Sequence, residues 1–182
     1  MIKSIYIKNM VCPRCISAVE QTLQKLKIPF LEVKLGEVII TTENIDYKKL
    51  NDELKTIGFE IIKDKNKKIV EQIKVAIFDL IHQDNIEISG VNFSDYLRKK
   101  TGYDYSYISH IFSKEENYTI EKFIISQKIE KVKELISYNE MNFTQIAYSL
   151  GYGNISHLSR QFKKITGQTL SEFKNSTREN KT

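Results

Sequence analysis

Sliding the chain against itself by fifty residues, without a gap, brings Asn92-Phe93-Ser94 onto Asn142-Phe143-Thr144, Ile108 onto Leu158, Ser109 onto Ser159, Phe112 onto Phe162 and Phe123 onto Phe173. One unit therefore occurs twice, as Asn92 to Phe123 and Asn142 to Phe173, with 8 of 32 aligned positions identical and apolar mostly opposite apolar elsewhere. Any fold for this chain has to accommodate both copies. In the second, Ile146, Ala147 and Leu150 mark a short amphipathic helix, and Gly151-Tyr152-Gly153 breaks it. A second helix starting near Asn154 turns Leu158 and Phe162 inward and Arg160, Lys163 and Lys164 outward. That order is a helix-turn-helix outline.

The first copy follows the same plan. Asn92 or Ser94 is placed to cap a helix through Lys100, and Gly102 allows the turn into a second helix at Asp104 or Ser106. Counting from Ile108 and Phe112 as buried, its outward set is Asp104, Ser106, Tyr107, Ser109 and His110, with Glu115 and Glu116 beyond. Between the copies Thr119 caps a long helix whose apolar positions run from Phe123 to Ile136 and which ends at Tyr138. Such a rod fixes the spacing of the two units. Recognition helices about 34 Å apart enter successive major-groove faces of B-DNA. Upstream, Ile69, Val70, Ile73, Ile77, Leu80 and Ile81 form another helical stripe ending at His82, which has no second His or Cys beside it as a co-ligand.

Charge agrees with this without deciding it. The 182 residues carry a net +5, and residues 140–182 hold six basic against three acidic side chains, whereas 85–139 are balanced at eight of each. With 41% hydrophobic residues the chain fills ordinary cores. No run reaches the length of a membrane span, and the start, MIKSIYIKNM, lacks the apolar block of a signal peptide, so a cytoplasmic location is expected. The three His lie in separate helices, and no nucleophile-base set or phosphate-binding glycine loop is present, so an enzyme is not expected.

Residues from about 66 to 176 resemble the AraC-type DNA-binding domain, in which two helix-turn-helix motifs are joined by a long helix. The residues that carry the resemblance are Phe143, Ile146, Ala147, Gly151, Tyr152, Ser156, Leu158, Arg160, Phe162, Lys163 and Gly167. Phe143 stands where the pattern opens on isoleucine, Lys128 replaces a customary arginine, Leu170 a proline, and Ser113 a basic residue. The resemblance implies a transcription regulator that binds double-stranded DNA, works with the transcription machinery and requires no cofactor. It implies base-edge or phosphate contacts from Asn154, Ser156, His157, Ser159 and Arg160, and phosphate contacts from Lys163 and Lys164. The matching set in the first motif is Asp104, Ser106, Tyr107, Ser109 and His110.

The first third reads differently. Lys3 to Lys8 alternates as a strand, Ile16, Val19, Leu23 and Leu26 fall at helical spacing, and Phe30 to Ile40 reads as two strands joined at Gly36. A helix through Leu50, Leu54 and Ile57 ends at Gly58, and Phe59 to Ile62 closes a βαββαβ order. At the first strand-to-helix junction sits Cys12-Pro13-Arg14-Cys15. Two thiols at this spacing converge on one point, and a helix N-terminus with Arg14 beside it favours the thiolate. Two sulfurs alone suit Cu(I) or another soft metal ion in low coordination better than zinc. A dithiol-disulfide couple or a folded module with idle thiols are the competing readings of the same pair. This segment resembles the heavy-metal-associated domain of copper chaperones and metal-pumping ATPases, through Met10-Val11-Cys12-Pro13-Arg14-Cys15 and Gly58-Phe59, with Asn9 where that family has glycine.

The expected architecture is α+β. A ferredoxin-like βαββαβ domain (residues 1–64) precedes an all-α domain of two helix-turn-helix motifs joined by a long helix (65–176), and a polar tail (177–182) follows, with disorder expected from Asn175 onward. The expected function is sequence-specific transcription regulation responsive to a soft metal ion at Cys12 and Cys15. The rival is a metal-trafficking or thiol redox-sensing protein whose helical domain is a docking module. Operator, direction of regulation and oligomeric state are left open.

Overall fold

The computed structural model describes residues 2–83 and 88–179. The fold is mixed and mostly helical, with a small antiparallel sheet near the N-terminus. Its elements are β1 (Lys3–Lys8), α1 (Pro13–Lys25), β2 (Phe30–Lys34), β3 (Glu37–Ile40), α2 (Tyr47–Thr56) and β4 (Glu60–Ile62), then α3 (Lys65–His82), α4 (Phe93–Thr101), α5 (Tyr105–Glu116), α6 (Ile120–Tyr138), α7 (Phe143–Ser149), α8 (Ile155–Thr166) and α9 (Leu170–Glu179). Two compact units emerge, one of residues 1–76 with 106–117, the other of 77–105 with 118–182. The boundary falls inside α3.

In the first unit the sheet runs β2-β3-β1-β4, every neighbouring pair antiparallel. Strand alternation sends Ile5, Ile7, Val38 and Ile40 to one face, where Val19 and Leu23 of α1 and Leu50 and Leu54 of α2 meet them in one core. Each such side chain, taken out of water, stabilises the fold by roughly 1.5–3 kcal/mol before the entropy of ordering is set against it. α1 begins with Pro13 in its first turn, and Asp46 caps α2 by accepting the Lys49 N–H at 3.0 Å. The β2–β3 turn places Gly36 at φ 74, and a Cβ there would stand 3.3 Å from the Val75 side chain and 3.5 Å from that of Glu71. Only glycine lets the hairpin tip lie this close to α3. Asp64 starts α3 by accepting the Asn66 and Lys67 N–H groups.

The second unit is built on α6, which buries Ile124, Ile129, Val132 and Ile136. Thr119 caps it, accepting the Lys122 N–H, and Asn139 at φ 58 ends it. Asn142 and Gln145 close a reciprocal capping box on α7. The break after α7 sits against the chain at Ile88, whose N–H donates to the Ser149 carbonyl at 3.0 Å, and a Cβ on Gly151 (φ 72) would come 3.3 Å from the Ile88 carbonyl oxygen. The Lys128 ammonium lies 5.5 Å from the Phe93 ring centre and 5.4 Å from that of Tyr152, between two aromatics.

The end of the chain departs from expectation. Asn175 to Glu179 belong to α9 instead of a disordered tail. Thr169 and Glu172 exchange hydrogen bonds at the start of this helix, and Phe173 packs edge-on against Phe162 with ring centres 5.6 Å apart. A polar composition is compatible with a helix once its first turn is capped and anchored. The remaining tail residues, 180–182, lie outside the described residues.

Candidate nucleic-acid interface and thiol site

Asn154 opens α8 in extended conformation, φ −164, and its side-chain oxygen accepts the His157 N–H at 2.8 Å. That oxygen serves the cap and leaves the amide NH2 for other partners. At 100° per residue, Leu158 and Phe162, both fully buried, set the inward direction of α8, and Arg160 points about 180° away from it. Arg160 is exposed, with its Nε donating to the Ser156 carbonyl at 3.3 Å. Asn154, His157, Arg160 and Lys164, with Gln161, line one open groove. Ser156 and Lys163 are exposed outside that groove, and Ser159 is half-buried.

Gln161 is the residue that periodicity passed over. It accepts the Tyr152 hydroxyl at 2.7 Å and so ties the turn to the groove. The Tyr152 hydroxyl is pushed up to about 12 by burial, so it remains a donor at any ordinary pH. His157 meets the same ring edge-on at 5.4 Å between centres. Spacing carried the signal for Gln161, since it stands four residues after His157.

In α5, Ile108, Ile111 and Phe112 are buried, Asp104, Ser106, Tyr107 and His110 are exposed, and Ser109 is half-buried, matching Ser159 fifty residues on. His110 occupies the position of Arg160, opposite the buried side. At the other end of α5, Glu116 pairs with Lys74 of α3 at 2.8 Å, both side chains being largely covered. This acidic residue is matched within its own unit. Burial, and then the hydrogen bond that Tyr105 donates to the Glu121 carboxylate, raise the phenol well above its ordinary value.

The thiols of Cys12 and Cys15 are free, half-buried and 3.1 Å apart, sulfur to sulfur. Cys12 precedes Pro13 in extended conformation at the open end of α1. Burial pushes its thiol up, but the Cys15 thiol, the N–H dipoles of Cys15 and Arg14, and the Arg14 charge more than offset this and hold it below the ordinary thiol value. Burial and the Cys12 hydrogen bond push Cys15 the other way. One sulfur thus favours the thiolate while its neighbour keeps its proton. Metal–sulfur bonds of about 2.3 Å set two sulfurs on one ion about 3.8 Å apart at a tetrahedral angle and about 4.6 Å apart in a line. Among the described residues no group of three or more His, Cys, Asp and Glu converges on a point, so the donor set fits a soft two-coordinate ion and not four-coordinate zinc.

The residue before this loop has a left-handed backbone. Asn9 has φ 71, a conformation that asparagine tolerates better than other side chains. Its side-chain amide donates to the Gly58 carbonyl at 3.0 Å, its N–H donates to Glu71 Oε1 at 3.0 Å, and its carbonyl accepts from the Cys15 thiol at 4.0 Å.

Residues 90–176 match the family described as "Helix-turn-helix domain". Among curated proteins, the chain is 27% identical over 78 residues to the HTH-type transcriptional regulator YdiP of Escherichia coli K12, covering 43% of this chain and 26% of that protein. It is 26% identical over 107 residues to the HTH-type transcriptional regulator YtdP of Bacillus subtilis 168, covering 59% of this chain and 14% of that protein. The chain therefore spans only a minor part of either relative's length. Among solved structures, an AraC-type regulator from Chromobacterium violaceum aligns with a TM-score of 0.51 at 11% identity over 61% of this chain and 93% of the other. The C-terminal domain of AraT, a response regulator from Geobacillus stearothermophilus, aligns with a TM-score of 0.51 at 19% identity over 62% and 88%. At such identities the likeness is one of fold. Over its C-terminal part this chain thus matches a helix-turn-helix family model and shares the fold of these regulators.

Proposed function

We propose that the chain is a sequence-specific DNA-binding transcription regulator of AraC type, with residues 65–176 as the reader of double-stranded DNA and 177–182 as its polar end. The observation that carries this reading is the exposed face of α8, where Arg160 stands opposite Leu158 and Phe162 and the groove residues Asn154, His157 and Lys164 flank it. A guanidinium in that position suits the two acceptors of guanine in the major groove, while Lys163 and Lys164 suit phosphates. The α5 set of Asp104, Ser106, Tyr107, Ser109 and His110 has the same placement with less charge, which suits orientation more than grip. Such a protein works beside the chromosome and the transcription machinery in the cytoplasm.

Residues 1–64 we assign to a heavy-metal-associated module of ferredoxin-like fold, a reading supported by the β2-β3-β1-β4 order with two helices on one face. Cys12 and Cys15 then take Cu(I) or another soft ion as effector. A second reading draws on the 3.1 Å sulfur separation and the opposite displacements of the two thiols, which equally suit a dithiol that oxidises. Selection of bound genomic fragments by wild type and by Cys12→Ser with Cys15→Ser, each with and without Cu(I) under reducing conditions, tests the whole assignment. Recovery of a discrete set of sequences is expected; a salt-insensitive protein that selects none would remove the DNA reading. Copper uptake unaffected by the double substitution would remove the thiol site.

A further inference from the structure

α3 is apolar on one side, through Ile69, Val70, Ile73 and Ile77, yet Glu71 on its other side is only 3% exposed. That carboxylate is covered because the loop before Cys12 and the tip of the β2–β3 hairpin both reach it: its Oε1 accepts the Asn9 N–H, and its Cγ lies against Gly36. One turn further along α3, Lys74 holds Glu116 at the end of α5, with side-chain exposures of 12% and 16%. Two sets of polar contacts within the first compact unit thus meet on α3, one from Cys15 through the Asn9 peptide to Glu71 and the other from Lys74 on the next turn to α5.

We propose that Asn9 and Glu71 are positioning residues through which occupation of Cys12 and Cys15 by a soft monovalent cation resets α3 and, through Lys74 and Glu116, the α5 helix of the first helix-turn-helix motif. The inference rests on the thiol-site reading above. Its physical basis is that binding moves the loop. The sulfurs must separate from 3.1 Å to the span of an ion, and Cys15, whose sulfur lies 4.0 Å from the Asn9 carbonyl oxygen, moves against that peptide as they do. Asn9 is held in the left-handed region by its hydrogen bonds to Gly58 and Glu71, so a displacement of its peptide is felt at both. A buried carboxylate follows its donor, because an unpaired one is costly. Coupling between sites requires an element whose arrangement differs between the two states, and α3 is the element that touches both.

The test uses the full chain, reduced, in chloride-free buffer with silver nitrate as a redox-inert probe, read by amide hydrogen exchange and by equilibrium silver binding. In wild type, silver is expected to alter exchange in residues 9–15, in α3 around Glu71 and in α5. Glu71→Leu is expected to bind silver and to lose the response in α5. Glu71→Gln, which keeps an acceptor for the Asn9 N–H, is expected to retain it, and Lys74→Met to lose the α5 response while keeping that at Glu71. A wild-type response confined to residues 9–26, or an α5 response undiminished in Glu71→Leu and Lys74→Met, overturns the proposal with the thiol site intact. Silver binding unchanged by Cys12→Ser with Cys15→Ser overturns both.

Discussion

Arg160 stands at the middle of the exposed face of α8, and its side chain makes one local contact, to the carbonyl one turn back. Removing it leaves the helix core of Leu158 and Phe162 untouched, so its loss is expected to leave folding unchanged. Arg160→Ala is expected to cost about 1–3 kcal/mol of discrimination at one base pair, whereas Lys163→Ala weakens all sequences alike. Competition binding against single-base variants of a selected fragment separates the two patterns. His82 offers a prediction of another kind. Burial lowers its pKa, against the pull of Glu134 at 3.4 Å, and its Nε2 is buried without a hydrogen-bond partner. Because the folded value lies below the unfolded 6.5, the unfolded state takes up the proton first as pH falls. Stability should be flat above roughly pH 7 and decline from there to the lowered folded value. His82→Gln should abolish that part of the decline in urea titrations across the range, and an unchanged slope would show that His82 is not its source.

Turns rather than helices carry the tightest constraints at the level of elements. Gly151→Ala sets a side chain into the left-handed region and within 3.3 Å of the Ile88 carbonyl, so a loss of about 1–2 kcal/mol is expected, read as a lower urea midpoint at unchanged slope. The helices themselves were legible because their apolar residues recur at helical spacing and their caps are short polar residues. Thr119 caps where the sequence implies, and the choice between Asn92 and Ser94 falls on Asn92. The βαββαβ order was legible from alternation and from Gly36 for the same reason. Less legible was anything set by a neighbour far along the chain. Glu71 lies on the polar side of α3, where periodicity implies solvent, and only the approach of Asn9 and Gly36 makes it a buried group. Asn154 shows the converse: a side chain that reads as a contact residue has its oxygen engaged in a cap, a role that spacing alone does not separate from recognition. Nor does a polar composition reveal that α9 is anchored through Phe173.

At the level of the whole molecule, the modest net charge of +5 is concentrated where the second motif lies, so affinity for DNA of any sequence should fall as salt rises. Replacing Lys163 and Lys164 together by Ala should reduce the slope of log affinity against log salt by about 2, a change visible in titrations with a mixed-sequence duplex. A slope that stays the same would mean that phosphates are gripped elsewhere. The compact units, meanwhile, do not divide where composition does. Residues 64–68 are the polar stretch that a linker would occupy, yet the first unit continues to residue 76 and reclaims 106–117. This matters for how such a chain can be recombined. A crossover at residue 64, in evolution or at the bench, would give the incoming partner a thiol loop whose Asn9 N–H has lost its carboxylate, and would leave Glu71 behind on a helix with its polar side uncovered. The transferable cassette is longer than the sheet, and its natural seam lies within a helix.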